Sequence, residues 1–111
     1  MNQGIVRIGC GAGFWGDTPE GPRQLIQSGQ IEYLVLDYLA EITMSILARV
    51  RERNTELGYP TDFVTHVIGP FAQDIAARGI KVVANAGGVN PRACKAAIER
   101  ELGARGVTLK V

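Results

Sequence analysis

Short apolar runs, separated by stretches long enough for one helix each, constrain this chain more than any other feature. Tyr33 to Leu36 is apolar at every position, Ile80 to Ala84 is broken only by Lys81, and Ile5 to Gly9 opens on a β-branched pair. Such runs read as strands, and an uninterrupted one as a strand buried on both faces. The stretches between them carry helix punctuation. Pro22 suits a first helical position and Gly29 a stop. Glu41 to Leu57 repeats apolar residues at Ile42, Ile46, Val50 and Leu57, close to a 3.6-residue period, and closes at Gly58 with Pro60 beyond. Thr61 or Asp62 caps a further helix to Arg78, stopped by Gly79, which Gly69-Pro70 is expected to kink or split. Pro91 opens a last helix to Leu102, ending at Gly103, and Val107 to Val111 alternates as a strand would. The order predicts an α/β fold: three layers, a mostly parallel sheet of about four strands with right-handed crossovers, and helices on both faces. The final run ends on an apolar residue with no turn or cap. The expectation is therefore one α/β domain over residues 1–111, incomplete, either the N-terminal fragment of a longer chain or a sheet completed by a partner.

Composition removes several function classes. Twelve Lys and Arg face eleven Asp and Glu with no basic cluster, which argues against nucleic acid as a partner. No apolar stretch reaches the roughly 18 residues of a membrane span, and Met1 to Gly9 lacks a leader pattern, so a cytoplasmic location is expected. Cys10 and Cys94 stand far apart without metal-ligand spacing, and both read as small apolar residues; no metal site is expected. His66, the one histidine, reads as a surface or packing residue, and Met44 as core. Glycine is the exception: 14 of 111 residues, half of them at or before Gly29, used as punctuation between apolar runs.

In a parallel sheet, ligands bind beyond the carboxyl ends of the strands, so three loops are the candidates. The first, Gly9 to Gly21, contains Gly11-Ala-Gly13-Phe-Trp-Gly16 with Asp37 downstream, a literal dinucleotide-binding spacing. Its mechanics differ from that motif, because Asp17, Pro19, Gly21 and Pro22 delay the helix and put a carboxylate where a phosphate would sit. The loop reads equally as an anion cradle, using Gly11, Gly13 and Trp15 with Arg23 from the following helical turn, or as a tight turn with Trp15 as a lid. In the second loop Asp37 and Glu41, four apart at a strand-to-helix junction, suit general acid and base roles or together a divalent ion, or else a helix cap and its dipole partner. In the third, Asn85, Gly88 and Asn90 precede a helix N-terminus and suit an oxyanion, although Asn and Gly also favour plain turns.

Four unusual segments then carry a resemblance: Gly13-Phe-Trp-Gly-Asp17, Asp37-Tyr-Leu-Ala-Glu41 running on to Ala48, Gly58-Tyr59 with Asp62-Phe-Val64, and Ala84-Asn-Ala-Gly-Gly-Val-Asn-Pro91. In these the chain resembles the N-terminal part of the acyclic terpene utilisation AtuA-like family; a continuous helix rather than Gly69-Pro70 would have fitted that pattern. The resemblance implies a cytoplasmic enzyme of acyclic terpenoid or branched-chain acid breakdown, acting on a carboxylated or acyl-CoA-type metabolite by a lyase or hydrolase step. Asp17, Asp37 and Glu41 are the expected catalytic residues. Gly11, Gly13, Trp15, Arg23, Asn85, Gly88 and Asn90 are the expected substrate-binding residues. The cofactor is left open, and the expected partners are the small-molecule substrate, a strand partner at the terminus and further copies of the chain. The alternatives are a non-catalytic assembly subunit and a dinucleotide-binding domain.

Overall fold

Strands and helices alternate along residues 4–111, the part of the chain that the computed structural model describes; of the leader reading, residues 1–3 lie outside it. The elements are β1 (Ile8–Ala12), α1 (Glu20–Ser28), β2 (Tyr33–Leu36), α2 (Glu41–Arg53), a π-helical segment (Phe63–Ile68), α3 (Gly69–Arg78), β3 (Lys81–Ala84) and α4 (Pro91–Ala104). All three strands are parallel, in the order β1-β2-β3. The fourth strand expected at 107–111 is not formed: Val107 donates to the Leu102 carbonyl at 3.0 Å, and the residues after it carry no strand pairing.

β1 lies three residues later than its apolar run suggested, because Gly9 and Gly11 belong inside it. A Cβ on Gly9 would stand 3.0 Å from Leu25, and one on Gly11 3.0 Å from Leu34, while a Cβ on Gly21 would meet the Gly11 carbonyl oxygen at 2.7 Å. These glycines let α1 lie directly on the strand, a use of glycine that punctuation alone does not reveal. The register slips between Cys10 and Ala12, so Gly11 is an extra residue in the ladder.

Both crossovers step in the same direction across the sheet. Taken right-handed, they put their helices on one face, and α1 and α3 do pack on each other, with α4 on α3 and the π segment. The strand row Gly9, Leu34 and Leu36 is accordingly buried. The alternate row stands open: Ile8 is 64% and Val83 55% exposed, and Cys10 is exposed beside them. The expected burial of β2 on both faces is thus reduced to one, and no second helical layer is seen there among the described residues.

The helices depart from expectation in two places. α2 buries Thr43 and Leu47, leaving Ile42 and Ile46 outward and Met44 only half-buried. At Gly69-Pro70 the helix neither splits nor stops. Pro70 offers no N–H and crowds the preceding turn. The chain widens instead, with the Gly69 N–H donating to the Val64 carbonyl five residues back, and α3 follows without a break. Phe63, Val64, Val67, Ile68, Phe71 and Ile75 carry the core from there to Ile26, Leu34 and Leu36. No described helix is long and apolar enough to cross a membrane.

Candidate functional site at the carboxyl edge of the sheet

Because the strands are parallel, Ala12, Leu36 and Ala84 end at one edge and hand their loops to a common rim. Two hydrogen-bonded joints tie those loops together. The Asp37 N–H donates to the Ala12 carbonyl at 3.0 Å, fastening the second loop to the first. Asn85 fastens the second to the third: its Nδ2 donates to Asp37 Oδ1 at 2.8 Å, and its Oδ1 accepts the Tyr38 N–H at 2.8 Å. The Asp37 carboxylate is thereby oriented while it remains exposed. Glu41 opens α2 one helical turn further on, also exposed.

The first loop is organised by its own carboxylate. Asp17 Oδ2 accepts the Gly13 N–H at 3.0 Å and Oδ1 accepts the Thr18 N–H at 2.9 Å. An amide that would face a pyrophosphate is therefore engaged, and α1 begins only at Glu20. Trp15 reaches across the rim and donates its indole N–H to Asp62 Oδ1 at 2.7 Å. Beside Asp62, Phe63 meets the Tyr38 ring edge-on, with centroids 5.8 Å apart and planes at 71°. Tyr38 is 3% exposed. Burial, and then the carboxylates of Asp62 and Asp17, hold its phenol well above the ordinary tyrosine range, so it stays a hydrogen-bond donor.

The structure therefore gathers Gly13, Trp15, Asp17, Asp37 and Asn85 at the rim, with Glu41 nearby. Other expected binding residues are engaged in holding the fold. Gly11 is buried under α1, and Arg23 is tied to Glu20 and Gln27 of its own helix. Gly88 (φ +56°) lies against Gly58, where a Cβ would come 2.6 Å from the carbonyl oxygen. Asn90 accepts the Ala93 N–H at 3.4 Å and donates to the carbonyls of Thr55 and Leu57 at 2.8 and 2.9 Å. Its amide caps α4 and clasps the segment after α2.

Tyr38 and Asp62 are rim residues that sequence reasoning missed. Both lie inside the segments that carry the family resemblance, but the sequence assigns the tyrosine no role of its own and the aspartate reads as a helix cap. Cys94 is buried in α4, and burial pushes its thiol up to about 11, overriding the helix N-terminus. His66 is exposed. Among the described residues no three His, Cys, Asp or Glu side chains are grouped to hold a metal ion.

A parallel α/β sheet with polar side chains collected beyond its carboxyl ends is the layout in which this class of protein binds small molecules. The chain belongs to the acyclic terpene utilisation family: the model of the acyclic terpene utilisation family protein AtuA matches residues 6–111. No curated protein and no solved structure matches it.

Proposed function

We propose that this chain supplies the carboxyl-edge half of an active site for acyclic terpenoid or branched-chain acid breakdown, acting on a carboxylated or acyl-CoA-type metabolite by a lyase or hydrolase step. The observation that carries this reading is the grip of Asn85 on Asp37. One carboxylate oxygen is fixed by the amide while the side chain stays exposed, which leaves the other oxygen to serve as a proton acceptor. Asp17 keeps the first loop in place through Gly13 and Thr18, and Trp15 closes its outer side against Asp62. Family membership supports the substrate class.

The test is growth on acyclic terpenoid or branched-acid carbon sources in cells whose only copy carries Asp37→Asn or Glu41→Gln. Asp37→Asn keeps the shape and an acceptor for Asn85, so folding is preserved while the base is lost. Loss of growth with unchanged circular dichroism and thermal midpoint is expected. Normal growth of both variants overturns the reading.

A further inference from the structure

The Tyr38 hydroxyl is a polar group without a protein partner on an almost fully buried residue. Tyr38 is 3% exposed, its ring meets Phe63 edge-on, and its backbone N–H is engaged by Asn85. Among the described residues the hydroxyl makes no hydrogen bond, whereas every fully enclosed side-chain nitrogen or oxygen there has one. The slight exposure that Tyr38 keeps therefore includes its oxygen, which reaches the surface while the ring stays covered.

The surroundings of that oxygen limit what can meet it. The charges acting on it are both negative, from Asp62 and Asp17, and both carboxylates are half-buried. Asp17 spends one oxygen on the Gly13 N–H and the other on the Thr18 N–H. Asp62 gives Oδ1 to the Trp15 indole and keeps Oδ2 without a partner among the described residues. Neither carboxylate accepts the phenol proton, and no ion pair of the described residues involves Asp17 or Asp62. One donor and one acceptor thus stand unused in a negative field. A carboxylate or phosphate could accept from the phenol, but both aspartates repel it. An ammonium suits the field but brings no acceptor, so the phenol proton stays unsatisfied. A hydroxyl accepts from Tyr38, donates to Asp62 and carries no charge.

We propose that Tyr38 and Asp62 form a subsite for an uncharged hydroxyl group of the ligand, with Trp15 as the positioning residue that holds Asp62. The inference rests on the rim being the substrate site and adds a discrimination to it. The hydroxyl of the substrate is bound at this corner, and its carboxylate or thioester end lies elsewhere along the rim.

The test uses the 111-residue chain and probes that share one branched carbon skeleton: 3-methylbutan-1-ol, its methyl ether, 3-methylbutanoate and 3-methylbutylammonium. Trp15 is the only tryptophan, so its fluorescence reports on this corner. Saturable binding of the alcohol is expected at about millimolar concentration. The ether, which cannot donate to Asp62, binds several-fold more weakly, and the two ions more weakly still. Tyr38→Phe removes one oxygen, keeps the ring and weakens the alcohol about tenfold. Asp62→Asn keeps an acceptor for Trp15, weakens the alcohol several-fold and narrows its advantage over the carboxylate. Failure of the alcohol to saturate, binding of either ion as tight as that of the alcohol, or an unchanged alcohol affinity in Tyr38→Phe overturns the proposal. The ranking of the probes needs no variant, so it decides the matter even where a variant does not fold. Because binding rather than growth is read, failure here is separable from failure of the rim reading.

Discussion

The first and third loops are both glycine-rich and both carry a polar side chain next to their glycines, and the fold uses them in opposite ways. In the first, the two glycines at the tip stand free, unlike Gly9, Gly11 and Gly21 at its base: a Cβ on Gly13 would find only Asp17 Oδ2, at 4.0 Å, and one on Gly16 would meet nothing within 4 Å. In the third, Gly87 lies against Pro91 and Gly88 against Gly58 and Leu47, and the Val89 N–H donates to the Gly58 carbonyl at 3.0 Å. The polar ends differ likewise. Asp17 turns inward on its own loop, Asn85 reaches to a neighbouring loop, and Asn90 is buried as a clasp. A glycine-rich loop at a sheet edge is thus an open rim in one place and a structural seam in the other.

The sharpest way to break that contrast is to place a methyl group in each loop. Gly88→Ala forces a left-handed φ and puts a Cβ 2.6 Å from a carbonyl oxygen. A loss of about 3 kcal/mol or more in urea unfolding is expected. Asn90→Ala comes next: the Thr55 and Leu57 carbonyls lose their donor and α4 its cap, at about 2–3 kcal/mol. The alkaline response of the seam follows. Burial raises the Cys94 thiol from 9.0 to about 11, so the unfolded chain ionises first. Stability is complete below pH 9 and declines as the pH climbs toward 11, by about 2–3 kcal/mol at about 1.4 kcal/mol per pH unit. Cys94→Ala, though less stable at neutral pH through the cavity it leaves, is expected to show a flatter profile over that range by denaturant titration. The smallest effect belongs to the first loop: Gly13→Ala is expected to change stability by no more than about 0.5 kcal/mol. A cost like that of Gly88→Ala would end the comparison.

The architecture was legible where local signals agreed with packing. Tyr33–Leu36 is a strand at the expected residues, and Gly29 and Gly79 stop their helices in the left-handed conformation. Other features depended on long-range neighbours. Gly9 and Gly11 looked like a strand's end but make room for α1, and Ile42 and Ile46 kept a helical period while facing outward. Of the site, Asp17, Asp37 and Asn85 were readable from position alone, since loops beyond parallel strands share one edge. That Asn85 would grip Asp37, or that Tyr38 would sit among carboxylates, depended on which loops touch. Asn90 misled because an amide before a helix suits both an oxyanion and a cap, and its burial decides for the cap.

The wide turn before Pro70 carries a consequence for the rim. Each residue of an α-helix advances about 100° around the axis, so the extra residue held between Val64 and Gly69 sets the angular phase of everything before it. In that phase Asp62 and Phe63 meet Trp15 and Tyr38. The proline thus acts as an indexing pin, aiming the helix that leads into it rather than the one it begins.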